Sequence, residues 1–192
     1  MVESNKSMNL PEKNKSPWRN LLDLLATNWV TERWRDVGVV VGCSGGADSV
    51  ALLHALCGYA KDHETPPIHV IHVNHGLQSE ADEWSALCRR HADTLGVPIE
   101  VIACEVTPSG RGLEADARSA RYSAFESVLS ANEVLLTAHH ADDMVETLFL
   151  RLLRGAGPRG LAGIPEQRAC GEGLIFRPFL DVPASALRAA VE

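Results

Sequence analysis

The segment that most restricts the fold is Val37–Ser49. It begins as a run of β-branched and small residues, VGVVVGC, breaks at Ser44-Gly45-Gly46, and enters a stretch with a helical apolar stripe. A short apolar run of this kind reads as a strand buried on both faces. Feeding directly into a helix, it marks the first half of a βαβ unit.

The same alternation recurs along the chain. Strands are expected at Val37–Cys43, Ile68–Val73, Ile99–Val106 and Glu133–Thr137, with a short one near Leu174–Phe179. Helices are expected at Ser49–Tyr59, Glu80–Leu95, Leu113–Leu129 and Asp142–Arg154, with a helical start at Pro183. This pattern predicts an α/β fold: a doubly wound, mostly parallel sheet with helices on both faces. Ligands in such folds bind at the carboxyl ends of the strands, near the reversal of strand order. Residues 18–34 add a helical pattern through Leu21, Leu22, Leu25 and Trp29, and residues 1–17 read as a flexible polar tail. Residues 18–192 are expected to form one domain, given about 150 residues per domain.

Composition removes several function classes. A formal net charge of −7 excludes a uniformly basic coat for nucleic acid, although residues 151–192 carry six Arg against four acids. The five cysteines, at 43, 57, 88, 104 and 170, include no C-x-x-C pair. That argues against a disulfide framework or a zinc ribbon and for small buried residues in a reducing compartment. The N-terminus lacks the apolar core of a signal peptide, and no apolar run approaches the roughly 20 residues of a membrane span. A soluble, cytoplasmic protein with no membrane partner is expected.

The loop Ser44-Gly45-Gly46-Ala47-Asp48-Ser49 has the makings of an anion cradle. Two glycines permit positive φ and close approach of a ligand, two serines add hydroxyls, and the first turn of a helix adds free N–H groups. It is neither a Walker loop, which needs a lysine here, nor the G-x-G-x-x-G dinucleotide fingerprint. Asp48, where a phosphate would lie, makes sense if a divalent cation is shared between the two. The competing reading is a tight strand–helix turn whose Asp48 and Ser49 cap the helix.

A second cluster, His139-His140-Ala141-Asp142-Asp143-Met144-Val145-Glu146, follows the Glu133–Thr137 strand. On a helical wheel Asp143, Glu146, Thr147, Arg151 and Arg154 share one arc, and Met144, Val145, Leu148, Phe149 and Leu152 the opposite one. The helix is therefore expected to pack by its apolar side and to offer carboxylates and arginines on the other. Such a cluster can hold Mg²⁺ and position a His as acid or base. Zinc competes, but adjacent histidines do not share a helical face as in H-E-x-x-H. The plainer alternative is a helix N-cap with surface charges. Weaker signals are His72 and His75 at the end of the second strand, the helix face Glu114, Arg118, Arg121 and Tyr122, and the arginines 151, 154 and 159.

Together these residues resemble the N-terminal catalytic domain of the tRNA(Ile)-lysidine synthetase family, within the PP-loop (N-type ATP pyrophosphatase) superfamily. The stretches that carry the resemblance are VGCSGGADSVALLH, HVNHGLQSEADEW, GLEADARSARY and LLTAHHADDMVETLFLRLLRGAGPRGLAGI, in family order and spacing from about Val37 to Pro183. The resemblance implies a ligase that uses Mg-ATP to adenylate the C2 oxygen of the wobble cytidine of tRNA(Ile) with a CAU anticodon. Free L-lysine then displaces AMP.

It implies further that Ser44, Gly45, Gly46, Ala47, Asp48 and Ser49 hold the pyrophosphate part of ATP, with Asp48 sharing Mg²⁺. The backbone near Val41–Cys43 and Val73 would meet the adenine. His139, Asp143 and Glu146 match positions of adenylation and lysine attack, and Arg118 a basic position of the site. Gly112 stands where the family often has Asn. The chain ends at Glu192 within a helical pattern, before the family's C-terminal tRNA-gripping region, which implies a fragment or a truncated gene product; a homodimer is compatible with the sequence. The alternatives are a truncated, inactive ATP-binding remnant, a nucleotide-binding module, or another superfamily member such as a cytidine thiolase. The thiolase would call for the paired cysteines this chain lacks.

Overall fold

Val39, Val40 and Val41 are completely buried, which requires their strand to be covered on both edges and both faces. The computed structural model, which describes residues 36–77, 80–110, 112–157 and 161–190, shows how. Strand β1 (Gly38–Gly42) lies inside a six-stranded sheet, between β2 (Ile68–Asn74) and β4 (Glu133–Leu136). With β3 (Ile99–Ala103), β5 (Gln167–Cys170) and β6 (Gly173–Phe176), the order is β3-β2-β1-β4-β6-β5. All neighbours are parallel except β5 and β6, an antiparallel hairpin. The expected doubly wound, mostly parallel sheet is thus observed.

Side chains alternate across the sheet, as strand geometry demands. Val39 and Val41 join a core with Leu52, Leu53 and Leu56 of helix α1 (Ala47–Asp62), Cys88 of α2 (Ala81–Leu95) and Leu187 of the short α5 (Ala184–Arg188). Val40 points the other way, into a second core with Ile71, Leu135, Ile175 and Phe125 of α3 (Leu113–Val128). Each fully buried valine or leucine contributes roughly 1.5–3 kcal/mol. Strand order reverses between β1 and β4, so their carboxyl ends open a crevice where α1 and α4 (Ala141–Leu153) begin.

Three expectations are corrected. β3 stops at Ala103 rather than Val106, because its partner β2 ends at Asn74 and pairing has nowhere to continue. β5 is a strand inside what reads as a loop; QRAC carries no apolar rhythm, and it exists because it pairs with β6. Helix α4 does not pack by its apolar stripe. None of its residues is buried, and Phe149 and Leu153 are 60% and 84% exposed. A periodic stripe shows which face is apolar, not that a partner lies against it. Met144 alone is held, its sulfur accepting the Ile164 N–H at 3.2 Å. The tail at residues 1–17, the helical pattern at 18–34 and Arg159 lie outside the described residues.

Candidate functional site

Gly45 has φ +86°, and a Cβ on it would come within 2.8 Å of the Trp84 ring, so only glycine fits this turn. Around it the loop is tied by the Ser49 hydroxyl, which donates to the Gly46 carbonyl at 2.9 Å and accepts the Ser44 N–H at 3.1 Å. The hydroxyls of Ser44 and Ser49 lie 3.1 Å apart. Ser49 therefore braces the loop from within. The N–H groups of Ala47, Asp48 and Ser49, in the first turn of α1, have no intrahelical acceptor. Below the loop, the buried His72 places Nδ1 2.8 Å from the Cys43 carbonyl, with the Cys88 sulfur 3.3 Å from the same nitrogen. Burial lowers the pKa of His72, so the ring is a neutral donor that pins the strand end.

Asp48 projects from α1 toward the start of α4. Its Oδ1 is buried without a hydrogen-bond partner, and its Oδ2 lies 3.5 Å from His140 Nε2. The other ring nitrogen of His140 is 3.5 Å from Asp143 Oδ2, which also accepts the His140 N–H at 2.8 Å. His140 thus sits between two carboxylates on different helices. The sequence reading names it within the His139–Glu146 cluster but gives it no role of its own. The signal was available: successive residues of extended backbone point to opposite sides, so the two adjacent histidines must take different roles. His139 points elsewhere, its Nδ1 2.9 Å from the Thr137 hydroxyl. Burial, and then the charge of Arg177, push its pKa down to about 4.

These groups line one cavity of about 860 Å³. Its walls are the β1–α1 loop, the end of β2 from His72 to Leu77, Trp84 of α2, the segment from Thr137 to Asp143, and α3 through Arg118, Arg121 and Tyr122. His75 lies with Nε2 3.4 Å from Arg121 Nη2, and burial lowers its pKa. Among the described residues no group of three His, Cys, Asp or Glu side chains forms a metal site by itself. Any cation here would need oxygens from a bound ligand as well as from Asp48, whose orphaned Oδ1 fits that need.

A PP-loop domain model matches residues 19–192. The chain belongs to the PP-loop family. Among curated relatives it is 47% identical over 167 residues to the tRNA(Ile)-lysidine synthase of Pseudomonas putida, covering 87% of this chain and 35% of that protein. It is 51% identical over 153 residues to the enzyme of the same name from Alkalilimnicola ehrlichii, covering 79% of this chain and 34% of that one. The chain thus spans about a third of the length of these relatives. A U34-tRNA thiolase from Methanococcus maripaludis, solved with its [4Fe-4S] cluster, shares the fold at TM-score 0.76 and 14% identity, over 91% of this chain and 63% of that one.

Within the PP-loop fold, the structure brings Ser44, Asp48, Arg118, His139 and Asp143 to one cavity. Glu146 is not among them. It is exposed on α4, one turn beyond Asp143 and outside the cavity lining. Among the described residues no helix is long and apolar enough to cross a membrane.

Proposed function

We propose that this chain is the catalytic unit of a tRNA(Ile)-lysidine synthase, which joins lysine to C2 of the wobble cytidine of tRNA(Ile) carrying a CAU anticodon. One observation carries the reading. The PP-loop, the orphaned oxygen of Asp48 and the His140–Asp143 pair open on the same cavity. The name shared by the curated relatives supports it.

In this reading the free N–H groups of α1 and the Ser44 hydroxyl hold the pyrophosphate part of ATP. Asp48 offers Oδ1 to Mg²⁺, which when bound neutralises charge on the phosphates. The C2 oxygen of cytidine attacks the α-phosphorus, and pyrophosphate leaves as the oxygen–phosphorus bond forms. An amine of free lysine then attacks C2, the bond from C2 to the AMP oxygen breaks, and the amine loses a proton. His139 serves as acceptor of that proton: it lines the cavity, and its low pKa keeps it neutral at neutral pH. Asp143 supplies the negative charge that recognises lysine's ammonium group. Glu146, exposed in this chain, takes a supporting place on the same helix. The five unpaired cysteines suit the reducing cytoplasm, where tRNA and lysine meet.

The test is AMP release from Mg-ATP by the purified chain, with tRNA(Ile) and lysine added singly and together. Release only when all are present is expected. Release that ignores tRNA and lysine would replace the ligase with a nucleotide hydrolase. ATP binding with no release in any combination would reduce the chain to a nucleotide-binding unit.

A further inference from the structure

The α3 wall of the cavity carries charge that the reading above leaves unused. Three arginines converge on Tyr122. Its hydroxyl accepts from Arg118 Nη2 at 3.3 Å and from Arg177 Nη2 at 3.5 Å. The Arg168 guanidinium lies over the ring at 4.1 Å from the centroid, and that of Arg118 at 5.2 Å. A fourth, Arg121, lines the cavity beside them.

No carboxylate pairs with any of the four among the described residues. Arg177 is only 2% exposed, and its Nε, like that of Arg168, is buried with no acceptor. A guanidinium cannot shed its proton at any ordinary pH, and a buried charge without a counter-charge is costly. Burial and the nearby Arg118 also lower the pKa of Arg121 from its usual value. Arg177 Nη1 donates to the Pro165 carbonyl at 2.6 Å, and Glu114 and Asp143 line the same cavity, but none of these places a carboxylate in an ion pair with the four arginines, so the wall keeps a positive surplus.

We infer that the α3 wall is a second anion subsite, in which Arg118 and Arg121 grip a phosphodiester of the RNA substrate while Tyr122, Arg168 and Arg177 hold them in place. The identity of the polymer rests on the ligase reading; the charge arrangement does not. A planar guanidinium matches phosphate oxygens two at a time, and contacts to phosphate fix the register of a nucleic acid without reading its bases. A wobble base taken into the cavity for chemistry must leave its stack, and a gripped neighbouring phosphate offsets part of that cost. Tyr122 is a positioning residue here, because it reaches the phosphate only through Arg118.

The experiment titrates the full chain with a short single-stranded RNA carrying CAU, across a salt series, and separately with Mg-ATP. Arg121→Gln and Arg118→Gln should each weaken RNA binding about tenfold and flatten the slope of log affinity against log salt by ~0.7. In Arg121→Gln, Mg-ATP affinity should stay within twofold, which also shows that this variant folds; the fold of Arg118→Gln is checked by thermal denaturation. Tyr122→Phe, which keeps the ring and loses the hydroxyl, should weaken RNA binding in the same direction by less. Unchanged RNA affinity and slope in both arginine variants would overturn the subsite, as would a parallel loss of Mg-ATP binding in Arg121→Gln or a wild-type chain that binds no RNA. Arginine-dependent RNA binding without lysine-dependent AMP release would leave the subsite standing and remove the ligase. AMP release with an unaltered salt slope would do the reverse.

Discussion

Asp48 and Asp143 belong to different helices yet address one imidazole: His140 Nε2 is 3.5 Å from Asp48 Oδ2, and His140 Nδ1 is 3.5 Å from Asp143 Oδ2. The contact joins the first turn of α1 to the first turn of α4 across the reversal of strand order. Both helix N-termini favour negative charge nearby, which offsets part of the repulsion between the two carboxylates. The PP-loop and the proposed amine-recognising carboxylate are thereby held at a fixed separation.

Replacing His140 by Leu should loosen that link more than it harms the fold. Both carboxylate side chains are 33% exposed, so water screens them, and the loss of stability should not exceed ~1 kcal/mol. Mg-ATP affinity should nevertheless fall severalfold as Asp48 loses its partner. A urea titration paired with calorimetry separates the two effects, and a collapse of stability with intact affinity would contradict the linkage.

Asp48→Asn should cost at least tenfold in Mg-ATP affinity, about 1.4 kcal/mol, and leave the remaining binding indifferent to Mg²⁺. The amide keeps the shape of the side chain but removes the charge from its orphaned oxygen. Calorimetric titration with and without Mg²⁺ decides the matter. Equal Mg²⁺ dependence in both proteins would release Asp48 from this role.

Gly45→Ala meets two obstacles at once, a φ of +86° and a Trp84 ring atom 2.8 Å from the new Cβ. The conformational cost alone is roughly 1–2 kcal/mol. Adding Trp84→Ala to Gly45→Ala should relieve the collision but not the backbone strain. Partial recovery in thermal denaturation is expected, and full recovery would mean that the turn bears no strain.

His139 gives the protein a signature in acid. Its pKa is about 4 in the fold against 6.5 as a free side chain, through burial and then the Arg177 charge. Above about pH 6.5 both folded and unfolded chains keep it neutral, and stability does not change on its account. Between there and about pH 4 the unfolded chain binds a proton that the folded chain refuses, so stability falls by up to ~1.4 kcal/mol per pH unit. The lowered values of His54, His72 and His75 act in the same direction. Urea midpoints between pH 7 and 4 should decline less steeply in His139→Asn.

Phe149→Ser and Leu153→Ser should change the stability of this chain by less than about 0.5 kcal/mol, since neither side chain is buried. Val134→Ala, in the core between β1 and β6, should cost far more. Chemical denaturation of the three variants makes the comparison. A large loss at Phe149 would mean that its stripe has a partner in the folded chain.

What could be read from the residues follows the range of each interaction. The strands β1, β2 and β4 are legible because full burial selects unbroken apolar runs such as Val39–Val41. The β1–α1 turn is legible because it demands glycine at a fixed place after such a run. β5 is hidden: Gln167–Cys170 becomes a strand only through pairing with β6, which no local pattern encodes. The exposure of α4 is hidden for a related reason, since Leu148 and Leu152 look the same whether or not anything covers them. In the candidate site, Asp48, His139 and Asp143 stand out by residue type and strand-end position, whereas Arg118, on a helix face, is singled out only by the family resemblance. The link through His140 and the arginines gathered on Tyr122 join segments distant in sequence, so only the folded chain reveals them.

The packing of Trp84 against the Gly45 turn has an optical consequence. The indole lines the cavity beside the Gly45 turn, and the other three tryptophans occupy positions 18, 29 and 34, all before the first strand. With those three changed to phenylalanine, the chain would carry a single emitter at the lip of the proposed phosphate cradle. Its fluorescence would then follow each ligand's arrival in real time, with no dye attached to either molecule.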